Sequence, residues 1–328
     1  MATLQILGIG NAVTDIPVFL DNGSLLEEFH FLRGSMNHID EATMDRLLER
    51  LQGCSLQYIA GGSAANAMAA LAGLGIKSRF VGKIGRDVIG SIFAQGHGGQ
   101  GVEMILLYGG RASGRAITFI DADSGERTFA TCLGASLDFR PEELEVEMFQ
   151  GCTLLHLEGY LLQCKGVVER AVEIAKGLGM KISIDLGSIG IVRRYRELLH
   201  GIVGQYADIV FANEAEAEAF SGLERGDALE YIYGIMEKGG RTSPVAVVKL
   251  GAEGSLVKCG DEFCRVEAFP ANVVDTTGAG DAYAAGFLYA FCNGTPVAKC
   301  GEAGSLLASK VVAVVGAKIP MDECKIFG

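Results

Sequence analysis

Asp281 closes the tetrapeptide Gly278-Ala279-Gly280-Asp281, and the residues from Ala282 to Ala290 that follow are nearly all apolar. A helix apolar all round is buried along its length, so its mouth is the part left for chemistry. Free N–H groups and a partial positive charge collect there. Glycines let an anion approach that backbone closely. Gly278, Ala279 and Gly280 can therefore form an anion hole. An acid beside a bound anion makes sense if it takes a proton from a hydroxyl while the hole stabilises a transferring phosphoryl group. The alternative is an N-terminal Asp that caps the helix, with glycines present for packing. The stretch by itself leaves both readings open.

Something must hold that mouth in place. "LQILGIG" (residues 4–10) reads as a buried opening strand, followed by a loop with Asn11 and Asp15. "IDEATMDRLLERLQ" has the period of an amphipathic helix, and "GGSAANAMAALAGLG" (61–75) that of a glycine turn and a small-residue helix. "GRAITFIDADSGERTFATCLGAS" (114–136) alternates about a turn at Asp123-Ser124-Gly125, a hairpin pattern. From residue 151 onward, "TLLHLEGY", "KISIDLG", "ADIVFAN" and "PVAVVKLG" read as strands alternating with helices such as "KGVVERAVEIAKGLG" and "NEAEAEAFSG". Alternation of this kind predicts an α/β fold with a mostly parallel sheet and helices on both faces. Ligand sites in such sheets lie at the carboxyl ends of strands. Asn11, Glu158, Asp185, Asn213, Gly251 and Asp275 all fall just past expected strands.

The chain has 328 residues, 49% hydrophobic, with a net charge of −12. The acidic balance argues against a general nucleic-acid or anionic-membrane surface, though local amides and one Lys can still hold a small anion. Nine scattered cysteines form no CxxC pair and no zinc spacing, so buried reduced thiols in a cytoplasmic protein are expected. The opening segment lacks a basic region and carries Asp15, so it reads as strand and loop rather than a signal peptide. No apolar run approaches a membrane span.

Four motifs, in order and covering almost the whole chain, resemble the ribokinase/PfkB family of carbohydrate and nucleoside kinases. They are "GGSAANAMAALAGLG", "NEAE" (213–216), "KLGAEGS" (249–255) and "DTTGAGDAYAAGF" (275–287). The resemblance implies a ribokinase-like three-layer fold in a single domain over 1–328, with a β lid from about 11–40 and 105–136. It implies ATP and Mg²⁺ as cofactors. It makes Asp281 the base that deprotonates the acceptor hydroxyl, and Gly278, Ala279 and Gly280 the anion-hole amides. Asn213 and Glu216 would organise Mg²⁺ and the phosphates, largely through water; the rest of "NEAEAEAF", Glu214 and Glu218, reads as a solvated acidic helix start. Lys249, Gly251 and Gly254 would form the nucleotide-side loop, with a snorkelling Lys and a plain turn as the alternatives. Asn11, Asp15, Gly61, Gly62 and Asn66 match the positions that hold the acceptor. Arg127 sits where related enzymes place a phosphate-touching Arg, or is a solvated hairpin Arg. Backbone carbonyls of Asp275 and Thr277, with those of 314–317, are candidates for a monovalent cation such as K⁺.

Ser63 stands where ribokinases proper typically carry Lys, and "GNAVTDI", "RGSMNHID" and "HLEGYLL" resemble the adenosine-kinase-like branch. The expected acceptor is a sugar or nucleoside with a primary hydroxyl. Phe19, Phe31, Met36, Phe119, Phe129 and Tyr160 are available to face a base, or else belong to the core. The alternatives are a fructokinase or 2-keto-3-deoxygluconate kinase of the same family, and a silent ligand-binding relative that would have lost the GAGD acid. A dinucleotide-binding oxidoreductase is disfavoured by Val13 where GIGNAV needs a third glycine. The expected assembly is a monomer, or a homodimer through the lid.

Overall fold

The structure, a computed structural model, describes residues 5–20, 23–121 and 127–318; the turn at 123–125 and Cys324 lie outside the described residues. The strands are β1 (Gln5–Ile9), β2 (Val13–Leu20), β3 (Met36–His38), β4 (Ile59–Ala60), β5 (Lys77–Ile84), β6 (Val102–Tyr108), β7 (Gly114–Asp121), β8 (Arg127–Cys132), β9 (Leu154–Glu158), β10 (Lys181–Asp185), β11 (Ile209–Asn213), β12 (Val245–Lys249), β13 (Ser255–Cys259) and β14 (Glu262–Val266). The helices are α1 (Ser24–Glu28), α2 (Glu41–Arg50), α3 (Ser63–Gly73), α4 (Val88–Gly98), α5 (Val167–Gly177), α6 (Ile189–Arg194), α7 (Arg196–Tyr206), α8 (Glu214–Ser221), α9 (Arg225–Lys238), α10 (Ala279–Cys292) and α11 (Val297–Val311).

Nine strands form the larger sheet in the order β14-β13-β12-β11-β10-β9-β1-β5-β6. Its strands from β12 to β6 run parallel, and only β13 and β14 turn antiparallel at one edge. Successive residues of the central strands enter two different cores. Leu155, Leu157, Val210, Ala212, Ala246 and Val248 pack on the face that carries α5, α7, α8 and α9. Leu154, Ile209, Phe211, Val245 and Val247 pack on the face of α3, α10 and α11. Burial on both faces is why these strands read as unbroken apolar runs rather than as alternation. The small residues of α10 have a packing reason too, since a Cβ on Gly286 would stand 2.5 Å from the Ala303 carbonyl of α11.

The second sheet has the order β3-β8-β7-β2-β4 and forms the lid. Its outer face buries Ile16, Val18, Ile117, Phe119, Ala130 and Cys132 against Met44 and Leu47 of α2. Asp40 caps that helix by accepting the Thr43 amide at 2.8 Å. The lid differs from the segments 11–40 and 105–136 at two places. It also takes Ile59–Ala60, while Val102–Tyr108 belongs to the larger sheet beside β5. Periodicity alone cannot assign a strand to one sheet or the other. Among the described residues no helix is long and apolar enough to cross a membrane.

Candidate active site

Because β1, β9, β10, β11 and β12 run parallel, their carboxyl ends share one rim. Glu158, Asp185, Asn213 and Lys249 are the last residues of their strands, and Asn11 follows β1 closely. Asp275 does not end a strand: it lies in the irregular segment between β14 and α10, held there by hydrogen bonds from the Val274 and Asp275 amides to the Val312 carbonyl.

The mouth of α10 opens on this rim. Gly278 takes φ 76°, and a Cβ there would run into Ala317. The amide of Ala279 bonds the Thr276 carbonyl at 3.2 Å, while those of Gly280 and Asp281 have no backbone acceptor among the described residues. Asp281 does not use its carboxylate to cap the helix. Its Oδ1 accepts the Ser63 hydroxyl at 2.7 Å and its Oδ2 accepts the Asn66 amide at 2.9 Å. Two of the carboxylate's acceptor positions remain for a substrate. Burial raises its pKa above the ordinary range, with the Asp185 charge adding; the two hydrogen bonds and Lys249 pull the other way. Asn66, expected among the acceptor ligands, gives its Nδ2 to this acid and also lines the same cavity as Asp281.

Asp15 and Gly61 are in close contact, and a Cβ on Gly61 would strike the Asp15 carboxylate. Burial, then the charges of Asp281 and Asp275, push Asp15 up to about 7. His97 steadies the turn from below: Nε2–H donates to the Gly61 carbonyl at 3.0 Å, and burial holds this imidazole neutral by lowering its pKa to about 4. Glu158 accepts the Asn11 amide at 2.9 Å and the Ala64 amide at 2.7 Å, so one buried carboxylate ties the loop after β1 to the start of α3. Both polar atoms of the Asn11 side chain are buried with no hydrogen-bond partner among the described residues.

Lys249 is not a surface lysine. Its ammonium pairs with Asp185 at 2.7 Å and is largely buried. A Cβ on Gly280 would stand 3.1 Å from Lys249 Nζ, which puts this cation beside the first turn of α10. Asn213 and Glu216 form a reciprocal capping box at the start of α8. Asn213 N and Nδ2 donate to Glu216 at 2.8 and 2.7 Å, and Glu216 N donates to Asn213 Oδ1 at 2.9 Å. Burial and the nearby Asp185 charge raise Glu216 to about 7. Gly251 and Gly254 have φ 60° and 87°; a side chain on Gly254 would collide with the Val266 carbonyl, so the turn itself requires glycine there.

Arg127 is neither solvated nor free. Its Nη1 lies 2.7 Å from Asp275 and donates to Thr276 Oγ1 at 2.9 Å and Thr277 Oγ1 at 3.3 Å. The other Asp275 oxygen accepts the Gly316 amide at 2.8 Å. This pair joins lid strand β8 to the segment that leads into α10.

A cavity of about 480 Å³ unites these parts. Asn11, Asp15, Gly62, Asn66, Glu158, Asp185, Asn213, Glu216, Lys249, Gly278, Gly280 and Asp281 line it, whereas Gly61, Arg127, Gly251, Gly254, Asp275 and Ala279 do not. Of the six side chains available to face a base, Met36, Phe129 and Tyr160 line the cavity. Phe119 and Phe31 pack in the lid's outer core, and Phe19 is 63% exposed. Ser63 was missed as a partner of the acid, because a hydroxyl far away in sequence announces nothing. Glu158 and Asp185 had one signal, an acid at a strand's carboxyl end.

Residues 34–324 match the profile of the pfkB family carbohydrate kinases. The crystal structure of adenosine kinase from Sinorhizobium meliloti is 35% identical, with a TM-score of 0.88, over 99% of this chain and 98% of that one. A probable sugar kinase from Rhizobium etli CFN 42 is 31% identical at the same TM-score, over 99% of this chain and 97% of that one. A nucleoside kinase from Methanothermobacter thermautotrophicus is 30% identical over 78% of this chain and 79% of its own length. With the motifs in order, the three-layer fold and a cavity gathered at the mouth of α10, the chain belongs to the pfkB family of carbohydrate kinases, ATP-dependent phosphotransferases of sugars and nucleosides.

Proposed function

We propose that this chain moves the γ-phosphoryl group of MgATP to the primary hydroxyl of a ribosyl unit, a nucleoside 5′-hydroxyl before a free sugar, with Asp281 as general base. The observation that carries the reading is the Asp281 carboxylate, oriented by Ser63 and Asn66 at the mouth of α10, where the Gly280 and Asp281 amides have no backbone acceptor among the described residues. Asp281 takes the hydroxyl proton, the freed oxygen bonds to phosphorus, and the bond to ADP breaks. The first-turn amides of α10 and the Lys249 ammonium stabilise the charge that grows on the phosphoryl oxygens. Asp15 and the unpaired Asn11 side chain fit the acceptor's remaining hydroxyls. The 35% identity to a structure named adenosine kinase supports a nucleoside.

Glu216, with Asp185 close by, fits an outer-shell role towards Mg²⁺, since a magnesium ion carried by the triphosphate keeps most of its waters. That ion, when bound, neutralises phosphate charge. A monovalent cation on the carbonyls of Asp275 and Thr277 belongs to the same proposal. So do a single domain, a cytoplasmic location, and assembly as a monomer or a lid-paired homodimer.

The test is ADP release with ATP and Mg²⁺ across adenosine, inosine, guanosine, cytidine, ribose, fructose and 2-keto-3-deoxygluconate, repeated with potassium added. Turnover of a ribosyl compound is the expected result. Turnover of fructose or 2-keto-3-deoxygluconate alone overturns the ribosyl acceptor. Turnover of none overturns the kinase reading.

A further inference from the structure

The lid sheet sets four cavity-lining residues side by side. Asp15 of β2 pairs with Ala116 of β7, Ala116 with Thr131 of β8, and Thr131 with His38 of β3. All four line the active-site cavity. Strands in a sheet lie about 4.8 Å apart, so Thr131 stands about 10 Å from Asp15 along this row and His38 about 14 Å. The row begins at the carboxylate read above as an acceptor ligand. It passes over the smallest side chain that keeps a Cβ, Ala116, and becomes polar again at Thr131. Leu133 and Phe129, two residues either side of Thr131, line the same cavity on the same face of the strand. The roof is therefore a polar row with apolar neighbours along the strand.

Thr131 is only 5% exposed, and its hydroxyl has no hydrogen-bond partner among the described residues. Buried polar groups are almost always paired, because an orphaned one is destabilising. Its neighbours on the opposite face of β8, Ala130 and Cys132, fill the lid's outer core, and a threonine in that position has no packing need for its oxygen. An isosteric valine would serve the sheet as well.

We infer that Thr131 is a specificity-determining residue: its hydroxyl reads a hydrogen-bonding atom on a second, flat moiety of the acceptor, one that lies over Ala116 with its faces against Leu133 and Phe129. This rests on the ribosyl reading above and narrows it to a ribosyl unit bearing a heteroaromatic base. A single sugar ring held by Asp15 does not reach Thr131.

The experiment compares kcat/KM for adenosine, for inosine and for ribose in the parent enzyme, in Thr131→Val and in Thr131→Ser, with calorimetry of adenosine and ribose binding. The expected result is that the better base-to-ribose ratio of the parent falls about tenfold in Thr131→Val, the loss of one hydrogen bond at a buried site. Thr131→Ser keeps the hydroxyl and keeps most of the ratio. A ratio unchanged in Thr131→Val overturns the inference, as does a ratio that falls equally in Thr131→Ser, which would mark a packing role. A parent that phosphorylates ribose but neither binds nor phosphorylates any nucleoside overturns the inference and leaves the phosphotransfer reading standing. Absence of turnover with every acceptor overturns the reading beneath it.

Discussion

Ser63 Oγ donates to Asp281 Oδ1 at 2.7 Å, joining the first residue of α3 to the first turn of α10 across 218 positions of sequence. One turn along α3, Asn66 holds the other oxygen. The Asp281 carboxylate is therefore oriented from outside its own helix. Its geometry depends on how α3 sits, and α3 is in turn tied to β9 by Glu158.

Asp281→Asn is expected to lower kcat by 10²- to 10⁴-fold, the range for loss of a general base. Binding of ATP and acceptor should change no more than a few-fold, because the substitution conserves volume. Steady-state kinetics with nucleotide-binding titrations separate the two. A kcat within tenfold of the parent would remove Asp281 from the role of base.

Ser63→Ala and Asn66→Ala each delete a donor that holds the Asp281 pKa down. Each should move the acidic limb of the kcat/KM profile to higher pH, and together they should move it further. The parent's limb should itself lie above the ordinary carboxylate range, since burial raises Asp281. A pH profile identical in parent and variants would mean that the limb belongs to another group.

Asp15→Ala should raise the acceptor KM far more than that of ATP. It also tests stability, because Asp15 and Glu158 are both held near 7 by burial. Their folded pKa values exceed the unfolded ones, so the folded chain holds the extra protons and stability declines as pH rises through about 7. Each carboxylate contributes at most about 1.4 kcal/mol per pH unit. The neutral His97 and His156, lowered to about 4, act in the opposite sense at acid pH. Their unfolded counterparts have finished most of their titration by about pH 7. The Tm is thus expected to fall as pH rises from about 6 through about 7 and to level off by about 8, and to fall less in Asp15→Asn.

Arg127→Ala leaves the buried Asp275 carboxylate without its cation, and breaking one side of such a pair typically costs about 3–5 kcal/mol. Arg127→Ala and Asp275→Asn should each lower Tm, and the double variant should lose less than the sum of the two. Additive losses would mean that the 2.7 Å pair contributes no coupling.

The glycine-and-acid helix mouth and the parallel sheet were legible without a structure. Glycines beside one acid at the head of an apolar run mark a helix mouth, and strands buried on both faces mark a parallel sheet, because local backbone physics and burial write themselves into neighbouring positions. The lid hairpin was legible for the same reason, through alternation. What tertiary structure alone decided is which distant groups meet. Asn66 turned out to hold the Asp281 carboxylate, Arg127 to brace Asp275, and Lys249 to lie buried beside the first turn of α10 rather than to snorkel. Asp275, expected at the end of a strand, lies in an irregular segment, and Ile59–Ala60 joins the lid. Hydrogen bonds and ion pairs between remote segments leave no periodicity and no fixed spacing. They are set by how sheets, helices and lid pack against one another, and no run of neighbouring residues records that.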